Sequence, residues 1–281
     1  MRKLMPDPSL ADAMTEADAI EAVDRPVTVT SLVSDFRDLG IDAGDTLLVH
    51  SSLRSLGWVA GGPQAVVDAL QTVLTDDGTL VMPTFTGQYT DSATWEHPPV
   101  PDEWVQIIRE SMPPFRPDVT PTRMMGAIPE CFRNYPDVIR SEHPTTSFAA
   151  WGAEADDIVG DHGLDYGLGE ESPLARIYER DGKVLLLGVG HDNNTSLHLA
   201  EYRADFEKDH VQSAAPLLRD GERVVVEYED IEIDTEDFEA VGADFESQVG
   251  LTEGSVGAST AKLVAQPKLV DFAVDWFDAN R

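Results

Sequence analysis

Cysteine is all but missing from this chain of 281 residues: Cys131 stands alone. One thiol can form neither an intrachain disulfide nor a multi-thiolate metal site, which suits a reducing compartment. Lysine is nearly as scarce, at Lys3, Lys183, Lys208, Lys262 and Lys268. Lysine and arginine together number 20 against 52 acids, a formal net charge of −32. Nucleic acid phosphates repel such a chain, so nucleic acid is excluded as a partner. No apolar run reaches the roughly 18 residues of a membrane span, so no membrane partner is expected. The first residues lack a basic segment followed by an apolar core. A cytoplasmic location without a signal peptide is therefore expected.

Hydrophobic residues make up 42% of the chain, enough for a core. The acids are spread along the whole length. That spread favours a solvated surface suited to high salt, where self-repulsion is screened within a few ångströms. An acidic site that draws a polycationic substrate is the other reading. Residues 1–25 are acidic and poorly patterned, a mobile tail or a loose helix. Residues 26–281 carry no repeat and no clear linker and read as a single catalytic domain.

Thr30 stands before a helical face of Leu32, Val33, Phe36 and Leu39 that Gly40 ends. Residues 46–50 read as a buried strand, 64–75 as a helix and 79–84 as the next strand, a βαβ unit with a parallel pair. Residues 86–122 are rich in proline and read as a long surface excursion with a local helix over 103–110. Helices are expected over 123–132, 154–159, 172–180 and 195–204, the last capped by Asn194. Strands are expected over 145–151 and 184–188. Asp220-Gly221 lies between two apolar runs, 214–218 and 223–228, and signals a hairpin with a type I′ turn. Such a hairpin makes the sheet mixed. A last helix from Pro267 has Leu269, Phe272, Ala273, Trp276 and Phe277 on one face, which could close the core or form a homodimer contact.

Two segments carry most of the information. Leu47-Leu48-Val49-His50-Ser51-Ser52-Leu53-Arg54-Ser55-Leu56-Gly57, then Val59-Ala60-Gly61-Gly62-Pro63, ends a strand in hydroxyls and a glycine-bearing loop. Small residues let backbone approach a ligand, and a helix N-terminus offers free N–H groups. The second is His191-Asp192-Asn193-Asn194-Thr195-Ser196-Leu197-His198-Leu199-Ala200-Glu201, after Gly188-Val189-Gly190. Between and around them stand Leu80-Val81-Met82-Pro83-Thr84-Phe85, Arg123-Met124-Met125-Gly126, the run from Arg140 to Phe148, Gly169-Glu170-Glu171-Ser172-Pro173-Leu174 and Gly254-Ser255-Val256-Gly257. In this order, from about Val27 onward, the chain resembles the aminoglycoside 3-N-acetyltransferase family.

The resemblance implies an acetyl-CoA-dependent N-acetyltransferase with no metal. The small-molecule acceptor is an aminoglycoside, acetylated on the 3-amino group of its deoxystreptamine ring. Another amine or amino-sugar acceptor is an alternative, as is a non-catalytic protein that binds coenzyme A or an aminoglycoside. Element order and resemblance together lead to the expected fold class: a three-layer α/β/α sandwich around a mixed, largely parallel sheet with a C-terminal β-hairpin.

Acetyl transfer requires a deprotonated amine, a polarised thioester carbonyl and a donor held in line. His198 is the first candidate for general base, because imidazole titrates near neutrality and Glu201 lies at i+3 on the same helix. The resemblance puts a histidine–acid pair in this segment. His143, held extended by Pro144, is the rival base or a wall of the acceptor pocket. Thr195 and Ser196 could stabilise the oxyanion or simply cap the helix; Thr195 joins the catalytic set and Ser196 the donor set. The family's corresponding loop lies against coenzyme A, which assigns Ser51, Ser52, Leu53, Arg54, Gly57, Gly61 and Gly62 to the donor. The competing reading of Ser51-Ser52 is a strand-end turn. Thr84 and Arg123 complete the donor set, with Arg54 or Arg123 supplying positive charge. Asp161, Asp165, Glu170 and Glu171 are the carboxylates expected to face acceptor ammonium groups, with His143 and His191 beside them. His97, His162 and His210 are expected to be solvated. Cys131, between Ile128 and Phe132, reads as a structural thiol, so direct transfer is expected over an acyl-enzyme.

Overall fold

The computed structural model describes residues 15–95 and 98–281. Thr15 opens α1 (Glu16–Glu21) through a reciprocal capping box with Asp18. This helix docks on the chain: Trp58 Nε1 donates to Glu16, and Val23 packs on Gly57. Of the two expectations for the N-terminal region, the described part is thus a helix; residues 1–14 lie outside the described residues. Next comes α2 (Val29–Leu39), ended by Gly40 in the left-handed region at φ 97°. Its cap is Thr28 rather than Thr30, because Thr28 Oγ1 accepts the Ser31 N–H at 3.2 Å while Thr30 sits inside the first turn.

β1 (Thr46–Ser51), α3 (Pro63–Leu74) and β2 (Thr79–Pro83) form the expected βαβ unit, with β1 and β2 parallel. The excursion follows, with α4 (Asp102–Ser111). α5 (Ala127–Phe132) starts four residues later than expected. Met124 and Gly126 take positive φ, and Arg123 N–H donates to Phe85 O, which rules out helix before Ala127. β3 (Ile139–Arg140) and β4 (Phe148–Gly152) come next. β4 starts late because Thr145 and Thr146 turn back onto the His143 ring. Then follow α6 (Ala155–Val159), α7 (Pro173–Glu179), β5 (Lys183–Leu187) and α8 (Ser196–Arg203). The chain closes with β6 (His210–Arg219), β7 (Glu222–Ile231), α9 (Phe238–Gln248), β8 (Thr252–Val256), β9 (Ser259–Ala265) and α10 (Gln266–Asn280).

Among the described residues the main sheet has seven strands in the order β3-β4-β2-β1-β5-β9-β8. β1 is parallel to both β2 and β5, and only β4 and β9 run against the other strands. The sheet is therefore mixed, with its parallel part at the centre. Period-2 alternation splits its side chains between two cores. Leu47, Val49, Leu80, Met82, Leu185 and Leu187 pack with α2, α3 and α5. Leu48, Val81, Val184 and Leu186 pack on the other face with α6 to α10. This is the expected three-layer sandwich.

The hairpin β6–β7 turns at Asp220 (φ 52°) and Gly221 (φ 83°), as a type I′ turn requires. It forms its own two-stranded sheet, so the main sheet is mixed through β4 and β9 instead. The hairpin's strands pair over ten positions, so that the end near the turn packs on the excursion, where Leu217 meets Tyr89 and Phe115, while Tyr228 and Asp230 toward the other end meet His143 and Tyr202. α10 turns Leu269, Val270, Ala273 and Phe277 into the core, and packs on α8 and α9, which is the core-closing option of the two. No described helix is long and apolar enough to cross a membrane.

Candidate active site

The carboxyl ends of the three parallel strands define the site, the usual place for ligands in open α/β sheets. In β1, Leu48 faces the α8 side, so two residues on, His50 does too, while Ser51 faces α5. After β5 the chain passes through a 3-10 turn, His191–Asn193, and enters α8. α8 buries Ser196 through Glu201 without a break, so its polar side chains must find partners inside the protein.

His198 and Glu201 do so with each other. The carboxylate can only accept, so His198 donates Nδ1–H to Glu201 Oε2, at 2.5 Å. The other imidazole nitrogen makes no hydrogen bond among the described residues. The His198 ring packs on Phe238, with centroids 4.9 Å apart. Glu201 Oε1 accepts from the Asp234 N–H at 3.1 Å and from Arg281 Nη1 at 2.5 Å.

The helix start is shared out among three residues. Asn194 Oδ1 accepts the Ser196 N–H at 3.2 Å, as expected of a cap. The Ser196 hydroxyl accepts from Gln266, which turns it into the core and away from the cleft. Thr195 makes no side-chain cap bond; its Oγ1 lies 3.3 Å from His50 Nε2. Burial, and next the nearby His198, push His50 down to about 3, so it stays neutral. The sequence reading gave His50 no role, although its alternation with Leu48 would have put it on the α8 face.

A cleft at this edge is lined by His50, Ser51, Met124, Met125, Asn193 and Thr195. Ser51 Oγ is shut off from solvent and has no partner. An orphaned hydroxyl in a cleft is what a polar ligand such as a pantetheine amide would satisfy. Gly62, at φ 59° before α3, leaves open space where a Cβ would project. Arg54 and Arg123 are exposed and make no ion pair among the described residues. These features fit coenzyme A. Ser52, Leu53 and Gly61 continue the loop, and Ser52 N–H donates to Leu187 O, which extends the β1–β5 pairing. Besides Ser196, two more expected donor residues lie elsewhere. Gly57 is needed for packing, since a Cβ there would come within 2.6 Å of Val23. Thr84 is buried in a polar knot, where its hydroxyl donates to Ser147 O and receives Arg140 Nε.

His143 is not free to act as a base. Its Nδ1 accepts from the Thr146 N–H at 3.0 Å, and its Nε2 donates to Leu164 O at 3.1 Å. Burial pushes it down to about 4. It stacks on His162, with centroids 4.8 Å apart, and His162 bonds Ser141 and Gly167 O. His162 is thus packed inside rather than solvated; His210 is exposed as expected, and His97 lies outside the described residues. His191 is buried as well, between Glu246 Oε1 at 3.0 Å and Asn194 Nδ2 at 3.4 Å. It braces the cap of α8.

The acidic loop divides. Asp161 lines one cavity, of about 410 Å³, with Glu142, His143, Arg116 and Arg219. Asp165 and Glu170 line another, with Tyr166, Tyr202 and Lys208. Glu170 is held by Arg203 through both oxygens, at 2.7 and 3.0 Å. Sequence reasoning also missed Asp230. It sits on β7, accepts the Tyr202 hydroxyl from α8, and is held close enough to feel His198. Cys131 is half-buried on α5, and burial pushes its thiol up, away from the nucleophilic thiolate. Among the described residues no group of three or more His, Cys, Asp or Glu is set to hold a metal ion.

At the carboxyl ends of the central parallel strands, a buried histidine–glutamate pair beside a cleft with an orphaned hydroxyl makes this a candidate catalytic site of the α/β type. The aminoglycoside 3-N-acetyltransferase family model matches residues 48–278, so this chain belongs to that family and is an acetyltransferase. It is 46% identical over 93% of its length, and 96% of the relative's, to an aminoglycoside N(3')-acetyltransferase-like protein, YokD, of Bacillus subtilis. The crystal structure of YokD superposes with a TM-score of 0.92 at 44% identity, covering 94% of this chain and 98% of that one. An aminoglycoside N(3)-acetyltransferase III of Pseudomonas aeruginosa is 38% identical, over 91% of this chain and 95% of its own. A solved AAC-IIIb, described as a binary complex with CoASH, gives a TM-score of 0.83 at 31% identity, over 91% of this chain and 97% of that one.

Proposed function

We propose that this enzyme acetylates an aminoglycoside amine, the 3-amino group of the deoxystreptamine ring, with His198 as general base. The observation that carries the reading is the buried His198–Glu201 pair, whose second ring nitrogen is left without a bond. Acetyl-CoA supplies the activated acyl group as a thioester. His198 takes the proton that the amine sheds as its lone pair forms the new C–N bond. Glu201 holds the imidazole in one tautomer and offsets the charge it gains. His50, always neutral, donates Nε2–H to Thr195 Oγ1, which leaves the Thr195 O–H free to face the developing oxyanion. The C–S bond then breaks, and the thiolate takes up a proton from the imidazolium or from water. Ser51, Gly61 and Gly62, with Arg54 or Arg123, hold the donor. Transfer is direct, with Cys131 a bystander.

A second reading keeps the chemistry and changes the acceptor. Glu170, one of the carboxylates meant for acceptor ammonium groups, is already paired with Arg203, which favours an amine of lower charge. The test is thiol release from acetyl-CoA in molar potassium chloride with aminoglycosides and with simple polyamines. Release with aminoglycosides alone supports the first reading. Release with simple amines alone favours the second. Binding of coenzyme A without release by any of these acceptors points to an untested natural amine or to a non-catalytic binder. His198→Ala should lower kcat by roughly two to four orders of magnitude with donor affinity unchanged; full activity would remove His198 as base.

A further inference from the structure

Glu201 is 1% exposed, and both of its oxygens are engaged. Oε2 serves His198, and Oε1 receives Arg281 Nη1 at 2.5 Å. A carboxylate this deep stays ionised only with a paired, hydrogen-bonded partner. Arg281, which follows α10, is itself fixed. Its Nε and Nη2 donate to the two oxygens of Asp237, at 2.8 and 2.5 Å, and Nη2 also donates to Asp234 O at 3.0 Å. Its guanidinium lies 4.1 Å from the Phe277 ring centroid. Carboxylates and an aromatic face thus hold the planar fork in one orientation, which a lysine could not reproduce.

We propose that Arg281 is a positioning residue of acetyl transfer. It holds Glu201 in one rotamer, and through Glu201 it orients His198; as the cation beside the pair it also opposes a positive charge on the imidazole. This rests on the reading of His198 as base. The groups facing the pair are His50 from β1, Tyr202 on α8, Asp230 from β7, Asp237 before α9, and Arg281. His50 and Tyr202 are neutral, so Arg281 is the one cation among them. Without it, the carboxylates of Glu201 and Asp230 act on the imidazole with no cation opposing them, which favours the imidazolium. The acidic limb of the rate profile must then move to higher pH.

The experiment measures kcat and KM from about pH 5.5 to 9 in molar potassium chloride, for the wild type, Arg281→Gln, Arg281→Lys and His198→Gln. Arg281→Gln is expected to move the acidic limb of kcat up by about one pH unit, roughly a tenfold loss at the lowest pH. At high pH activity returns, and KM for acetyl-CoA is unchanged. A folded Arg281→Gln whose profile overlays the wild type overturns the proposal. If that variant does not fold, Arg281→Lys decides. It keeps the charge but not the fork, so kcat should fall at least about fivefold; wild-type kcat overturns the proposal. His198→Gln at wild-type rate would instead defeat the reading of the base, whatever Arg281 does.

Discussion

Thr195 Oγ1 lies 3.3 Å from His50 Nε2, which joins the entry of α8 to the last buried position of β1. The capping work that a threonine there would normally do is done by Asn194. A hydroxyl released from capping and oriented by a neutral imidazole is a suitable donor to an oxyanion. Thr195→Val, which keeps the shape and removes the hydroxyl, should lower kcat by about ten- to a hundredfold, with KM for acetyl-CoA unchanged. His50→Gln should act in the same direction. Steady-state kinetics checks both, and a fully active Thr195→Val would reduce this hydroxyl to a lining group.

Three histidines make the fold acid-labile before its carboxylates titrate. Burial pushes His50 and His162 down to about 3 and His143 to about 4. In the unfolded chain each takes up a proton near pH 6.5. Their depressed values leave stability intact above that pH, and it is lost as pH falls toward the folded values. The slope is roughly 1.4 kcal/mol per pH unit for each histidine. Urea unfolding at constant high salt should therefore show the midpoint dropping steeply between about pH 6.5 and 5. A flat midpoint across that window would contradict the buried neutral assignment.

Arg140 ties the excursion to the sheet. Its guanidinium donates to Thr84 O and Thr120 O at 2.6 Å, and to the Thr84 and Ser147 hydroxyls at 3.1 Å. Arg140→Met leaves these buried acceptors unpaired and should destabilise the protein by about 3 kcal/mol. Chemical denaturation measures it. A loss below about 1 kcal/mol would mean that water replaces the guanidinium without cost.

The surface charge makes its own prediction. At −32, self-repulsion is long-ranged at low ionic strength and screened to a few ångströms in molar salt. The melting temperature should rise steadily with potassium chloride up to molar concentrations, and activity with it. Equal stability in dilute buffer would show that the acids are locally compensated.

Much of this molecule follows from local pattern. Short unbroken apolar runs in residues 46–50, 79–84 and 184–188 marked strands buried on both faces, and the two-residue repeat of side-chain direction in a strand then divides each run between the faces. The i, i+3 spacing of His198 and Glu201 determined that they would meet, because helical residues three apart share a face. Gly40 and Asp220-Gly221 determined a helix end and a turn, because their backbone angles suit few other residues. Tertiary structure alone decided the rest. It closed both ring nitrogens of His143 and left one open on His198, a difference made by Leu164 and the folded-back Thr146. It brought Arg281 onto Glu201 across 80 positions, and detached the hairpin from the main sheet. Periodicity records which face a residue takes within its own element. Which surfaces then pack together, and so which charge each buried group meets, depends on contacts between segments far apart in the chain.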